Sequence, residues 1–176
     1  MMRTASLPYN LYLIGFMGCG KSSAASYFHE KYDMPVIEMD QEIVRKTGMS
    51  IQDIFRTRGE EAFRQMETAL LRELGTVRNT VISCGGGAAM RAENVKLMRE
   101  GGKIVLLTAK PETILERVRN DSSRPLLEHH KNVQDIAALM EKRRPAYEAA
   151  ADFSVATDGK TEKEIVAEIL RTAAGN

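Results

Sequence analysis

The chain has 176 residues, 43% of them hydrophobic and 28% charged, which describes one compact domain, spanning 1–176, with a single core. A net charge of +1, with no run of basic residues interleaved with aromatics, excludes the electrostatic footprint of a nucleic-acid binder and points to a small-molecule partner. The N-terminus holds one arginine and a short apolar run, a pattern of neither signal peptide nor membrane anchor, so a cytoplasmic protein with no membrane partner is expected.

Short β-rich runs alternate with longer helical patterns, the signature of a parallel sheet covered by helices. The first strand is predicted at Leu11–Ile14, followed by a helix from Ser22. A second strand covers Pro35–Met39, and helices follow over Gln41–Lys46, from Ser50 and from Gly59. The third strand is Thr80–Cys84, then a helix from Ala92, then the fourth strand at Lys103–Leu107. A proline suited to a first helical turn, Pro111, opens the next helix. Another starts at Val133, the fifth strand is Phe153–Ala156, and Thr161-Glu162-Lys163-Glu164 reads as a capping box opening the last helix. Each strand is apolar enough to be buried on both faces. The fold class expected is therefore an α/β three-layer sandwich around a five-stranded parallel sheet. No internal repeat or Pro/Gly/Ser-rich linker divides the chain. Residues 120–132, with Asp121-Ser122-Ser123-Arg124-Pro125, His129 and His130, suit a mobile surface loop.

Cys19 and Cys84 have neither C-x-x-C nor metal-type spacing and read as reduced thiols, Cys19 being a candidate for a reactive one. His29, His129 and His130 are too few and too dispersed for a histidine metal site.

Gly15-Phe16-Met17-Gly18-Cys19-Gly20-Lys21-Ser22 has the form G-x-x-x-x-G-K-S and directly follows the first strand. This is a phosphate loop. Its glycines let consecutive backbone N–H groups turn inward around phosphate oxygens at the positive end of the following helix. Gly18, Cys19, Gly20 and Ser23 complete that cradle. Lys21 is placed to reach the β- and γ-phosphates, and Ser22 to ligate a magnesium ion bridging the same oxygens. Nucleoside triphosphate binding is the expectation.

Several further motifs occur in an order that resembles shikimate kinase, of the nucleoside monophosphate kinase-like P-loop group. They are Met39-Asp40-Gln41-Glu42-Ile43, Ser50-Ile51-Gln52-Asp53-Ile54-Phe55, Gly59-Glu60-Glu61-Ala62-Phe63-Arg64, Cys84-Gly85-Gly86-Gly87-Ala88, Arg124-Pro125-Leu126-Leu127 and Lys142-Arg143-Arg144-Pro145-Ala146-Tyr147. The resemblance spans nearly the whole chain. It implies a P-loop kinase fold with a lid at about 120–132, and transfer of phosphate from ATP to the 3-hydroxyl of shikimate, with magnesium required.

The resemblance also implies residue roles that the chemistry supports. Arg64 and Arg143 would clamp the acid's carboxylate, for which a planar guanidinium fork is suited. Asp40, just past the second strand, would hold the substrate hydroxyls and accept the proton, although it is also placed to cap the Gln41–Lys46 helix. Gly86, in the triple glycine, would touch shikimate. Arg124 would be a lid arginine that stabilises developing charge, and Arg117 would stack on adenine, with Arg119 as a rival for that place. The adenine loop would lie near Asp158-Gly159-Lys160.

One departure stands out. Where the family commonly has Asp-x-Asp after the second strand, this chain has Glu38-Met39-Asp40; Glu38 is expected to keep the magnesium role, with Ser83 assisting behind it. Two alternatives remain open on sequence: another small-metabolite kinase such as a gluconate kinase, and a nucleotide-sensing regulator, although no Asn-Lys-x-Asp guanine motif is present. A monomer is the default expectation.

Overall fold

The structure, a computed structural model, describes residues 5–119 and 132–175. Among these residues the chain alternates β1 (Asn10–Ile14), α1 (Lys21–Tyr32), β2 (Val36–Glu38), α2 (Met39–Thr47), α3 (Ile51–Arg58), α4 (Glu60–Leu74) and β3 (Val81–Ser83). A short 3-10 turn at Ala88–Met90 leads to α5 (Ala92–Gly101), β4 (Gly102–Thr108), α6 (Pro111–Val118), α7 (Val133–Ala150), β5 (Phe153–Ala156) and α8 (Glu162–Ala173). The 120–131 part of the expected lid, including Arg124, His129 and His130, lies outside the described residues.

The sheet has five strands in the order β2-β3-β1-β4-β5, all parallel. From β1 the chain crosses toward β2 on one side, whereas from β3 it crosses back to β4 on the other. Right-handed crossovers then place α1 and α5 on opposite faces, which gives the expected three layers. α1 packs against β2, β3 and α8, while α5 and α7 pack on β4. The change of direction makes the carboxyl edge beside β1 the place where such sheets hold ligands.

The register aligns that edge. Glu38 pairs in register with Ser83 and Leu13 also with Ser83, while Ile14 lies beside Leu106 and Thr108 beside Ala156. The loops after all five strands therefore open on one side. Of the central strands, β1 and β3 meet the expectation of full burial, every residue being buried, whereas β4 is buried over Ile104–Leu107 only. β2 and β5 do not, because they are the edges of the sheet; β2 is half-buried throughout, and Ser154 and Ala156 of β5 are exposed.

Helix starts follow local chemistry. Ser50 caps α3 by accepting the Asp53 N–H at 3.0 Å, and Pro111 occupies the first turn of α6. α2 starts two residues before the predicted boundary, so Asp40 lies in its first turn and Glu38 takes the cap position without a side-chain capping bond. The alternative of Asp40 as the helix cap is thereby corrected. At α8 the predicted capping box forms in both directions, with Glu164 N–H donating to Thr161 Oγ1 at 3.2 Å and Thr161 N–H to Glu164 Oε2 at 2.8 Å. Thr161→Ala is expected to cost about 1 kcal/mol, or about 2–4 °C in Tm for a chain of this size. An unchanged thermal unfolding curve would show that the box adds nothing to the packing of α8.

Candidate functional site

β1 ends at Ile14 and the chain turns through the phosphate loop into α1. Gly20, the residue before the helix, has φ 105°, and Gly18 has φ 80°; both values favour glycine, so the motif's spacing is imposed by the backbone path. Lys21 is almost buried at 9% exposure, its Nζ donating to Gly15 O at 2.6 Å and Phe16 O at 3.2 Å. The ammonium is thus held under the loop, ready to meet phosphate oxygens without a search through rotamers.

Two residues from distant elements brace this loop. Thr157, just past β5 and fully buried, donates through Oγ1 to Cys19 O at 2.9 Å. Arg117, in the last turn of α6, donates through Nη1 to Gly18 O at 2.9 Å and to Thr157 Oγ1 at 3.3 Å. Arg119 instead points to Glu116, 4.0 Å away, with its side chain 62% exposed. Arg117 is therefore the arginine that reaches the loop. A cleft of about 310 Å³ opens here, lined by Lys21, Ser22, Ser23, Arg117, Thr157 and Lys160 among others. Asp158 stays beside it by accepting from Thr113 Oγ1 at 2.6 Å and Lys110 N at 3.0 Å. Cys19 N–H donates to Phe16 O at 3.1 Å, and its fully buried Sγ accepts from Lys21 Nζ at 3.9 Å. The expectation of a reactive thiol fails because nothing in solution can reach it. Cys84 is buried as well, and burial pushes its thiol well above the ordinary range.

A second cleft, of about 420 Å³, is lined by Glu60, Glu61, Arg64, Gly87, Met90, Arg91 and Arg143. It brings together the two arginines predicted to act as a pair, Arg64 from α4 at 8% exposure and Arg143 from α7 at 9%. Arg64 Nη1 donates to Glu67 Oε1 at 2.7 Å and Nη2 to Glu60 Oε1 at 3.1 Å. Its guanidinium also lies 5.3 Å from the centre of the Phe63 ring, and that of Arg143 lies 5.7 Å from Phe16. Arg143 Nη1 is buried and has no hydrogen-bond partner among the described residues. A buried donor in that condition favours an incoming anion.

The glycine run explains why these groups can sit so close to the backbone. A β-carbon on Gly87 would fall 2.5 Å from the Arg64 guanidinium. On Gly85 it would fall 2.6 Å from Glu67 Oε2 and 3.2 Å from Asp40 Oδ1, which brings both carboxylates to the same turn. Gly86 borders both clefts: a β-carbon on it would fall 3.4 Å from Arg143 Nη1 and 3.6 Å from the Met17 backbone N. Its carbonyl accepts from the Tyr147 hydroxyl. Burial pushes the Tyr147 phenol up to about 12, so it stays protonated and donating at neutral pH.

Glu67 and Thr157 escaped the sequence reading, and Tyr147 entered it only as the end of the Lys142–Tyr147 motif, with no role of its own. Glu67 is fully buried, and burial raises its carboxyl above the ordinary range against the opposing pull of Arg64. Its only sequence signal is a position three residues after Arg64, one turn along the same helix face. Tyr147 has the same kind of signal, four residues after Arg143. Thr157 could be found only from its place just beyond a parallel strand.

The donor chemistry for a metal is oxygen. Ser22, exposed in the first turn of α1, and Glu38, at the carboxyl end of β2, offer a hydroxyl and a carboxylate. Among the described residues no cluster of three His, Cys, Asp or Glu could enclose an ion. That set fits magnesium, which keeps several waters and takes few protein ligands, and does not fit zinc or a fully caged calcium.

The family profile of shikimate kinase matches residues 17–174. A shikimate kinase from Persephonella marina is 42% identical over 161 residues, covering 92% of this chain and 96% of that one. Among solved structures, a shikimate kinase from Acinetobacter baumannii in complex with shikimate superposes with a TM-score of 0.91 at 33% identity, covering 97% of this chain and 96% of the other. A gluconokinase from Sinorhizobium meliloti, at 22% identity and TM-score 0.61 over 97% of this chain and 94% of its own, shares the fold. The phosphate loop, the paired arginines around a triple glycine and the agreement across nearly the full chain make this protein a member of the shikimate kinase family.

Proposed function

We infer that the chain transfers the γ-phosphoryl group of ATP to the 3-hydroxyl of shikimate, giving shikimate 3-phosphate and ADP in aromatic amino-acid biosynthesis. The observation that carries this reading is the pair of nearly buried guanidiniums, Arg64 and Arg143, facing one cleft across the glycine run from the phosphate loop.

In this reading the acid's carboxylate sits between Arg64 and Arg143, where each fork can donate to it. Gly86 allows the ring to approach the backbone. Asp40 orients the attacking hydroxyl and takes its proton as the phosphoryl group moves, with positioning contributing more than basicity. Gly18, Cys19, Gly20, Lys21, Ser22 and Ser23 hold the triphosphate, Lys21 countering charge on the β- and γ-oxygens. Arg117 flanks the adenine. Arg124, the expected lid arginine, lies outside the described residues. Ser22 and Glu38 would hold magnesium, which would supply positive charge to neutralise the phosphate oxygens during transfer. We further propose a monomer of one domain in the cytoplasm; among the described residues no helix is long and apolar enough to cross a membrane.

ADP release by the purified chain with ATP and magnesium, compared among shikimate, gluconate and no acceptor, tests the reading directly. Turnover with shikimate alone is expected, and release with gluconate alone, or with no acceptor, would overturn it. Arg64→Ala is expected to weaken shikimate binding by about 1.5–3 kcal/mol, the size of a charge-assisted hydrogen bond; an unchanged KM for shikimate would remove Arg64 from the clamp. Glu38→Gln should raise the magnesium concentration needed for half-maximal turnover. If the magnesium dependence does not move, Glu38 has no part in holding the ion.

A further inference from the structure

The acid cleft contains a third guanidinium to which the reaction assigns no part. Arg91 stands at the cap position of α5, immediately after the 3-10 turn that follows the glycine run, and lines the same cleft as Arg64 and Arg143. Its backbone is fixed by a polar seam between α4 and α5. Thr68 Oγ1 donates to Asn94 Oδ1 at 2.6 Å, Asn94 Nδ2 to Ala88 O at 2.9 Å, and Arg72 pairs with Glu93 at 2.7 Å. The side chain is held differently. Arg91 Nη2 donates to Glu61 Oε2, and the two side chains are 31% and 68% exposed, against 10% for that of Arg64.

An ion pair this exposed contributes little, so exchanging Glu61 for another carboxylate costs little. The charges along the described cleft lining are three guanidiniums, Arg64, Arg91 and Arg143, against two carboxylates, Glu60 and Glu61. Among these lining side chains the guanidiniums outnumber the carboxylates by one, with the Glu67 carboxylate buried behind Arg64. The deeper arginines are nearly buried, so a hydrated anion meets Arg91 before it meets either of them.

We propose that Arg91 is the outer anion-binding arginine of the acid cleft: it draws the substrate's carboxylate to the mouth and hands it to Arg64 and Arg143, while Glu61 competes for the same guanidinium. The proposal rests on the acid-kinase reading above, because it needs a carboxylate substrate in this cleft. It differs from a purely structural strap between α4 and α5, in which Arg91 and Glu61 would matter only to each other.

Calorimetric titration of the full chain with shikimate separates these roles, with thermal unfolding run on each variant. Arg91→Gln removes the outermost positive charge of the cleft and is expected to raise Kd about three- to tenfold, the scale of one partly exposed charge. Glu61→Gln frees Arg91 from its competitor and is expected to lower Kd. Arg91→Lys, which keeps the charge, should recover most of the loss. The difference between wild type and Arg91→Gln should close at about 1 M salt, where the screening length falls to ~3 Å. If both Gln variants bind more weakly, the pair is a strap and the proposal fails. An unchanged Kd in Arg91→Gln also overturns it. A wild-type chain that binds no shikimate would overturn the reading beneath it, an outcome distinct from any ordering of the variants.

Discussion

The acid side of this protein depends on one buried ion pair. Glu67 is fully buried and Arg64 nearly so, and they meet at 2.7 Å on successive turns of α4. Such a pair is weak evidence for stability, since desolvating both charges offsets most of their attraction. Removing one partner is another matter and typically costs about 3–5 kcal/mol, because the survivor is left buried and unpaired. The pair therefore constrains its surroundings more than it stabilises them. The guanidinium lies 2.5 Å from where a β-carbon on Gly87 would be, and the second Glu67 oxygen 2.6 Å from where one on Gly85 would be, too close for either to be present. The glycine run at the end of β3 is the form of backbone this arrangement permits.

Arg143 carries the complementary lesson. Its Nη1 is buried with no hydrogen-bond partner among the described residues, a condition that costs about 1–3 kcal/mol in a folded chain. If Arg64 and Arg143 clamp the acid as proposed, an anion between them recovers that cost, and part of the affinity is set aside in the fold. Phe16 and Phe63 beneath the guanidiniums help hold the planes in place, since a cation over a ring is favourable and a ring loses little freedom in being fixed. Rigid forks lose less on binding than solvated ones.

What could be read without the structure follows from how far each signal travels along the chain. The phosphate loop and its flanking strand and helix are local, and they form where their spacing places them. The capping box at Thr161 is equally local. Burial of the strands was legible only in part, because a strand's position in the sheet order is not written in its own residues; β2 and β5 read like β1 and β3 but lie at the edges. Asp40 was placed correctly past β2, yet its helix begins earlier, since Glu38 has the extended backbone of a cap residue while Asp40 turns in toward Gly85. The site roles of Arg64 and Arg143 came from motif resemblance, because an arginine on a helix is ordinarily a solvated charge. Glu67 had no such motif, and an arginine–glutamate pair three residues apart is usually an exposed helix decoration. Only the packing of α4 against the glycine run buries it.

The nucleotide side shows why a local motif is still not a local structure. The carbonyls of Gly18 and Cys19 are held by Arg117 and Thr157, which are 99 and 138 residues further along the chain. The Thr157 bond needs β5 seated beside β4, and the Arg117 bond needs α6 docked. Glycines make the loop's conformation accessible, but the same freedom leaves it unfavourable in entropy unless something outside it selects one shape. Thr157 and Arg117 supply that selection. The loop's competence to bind phosphate is therefore coupled to the far edge of the sheet, and a packing defect in β5 or α6 reaches the nucleotide cleft through these bonds without touching any residue of the phosphate-loop motif.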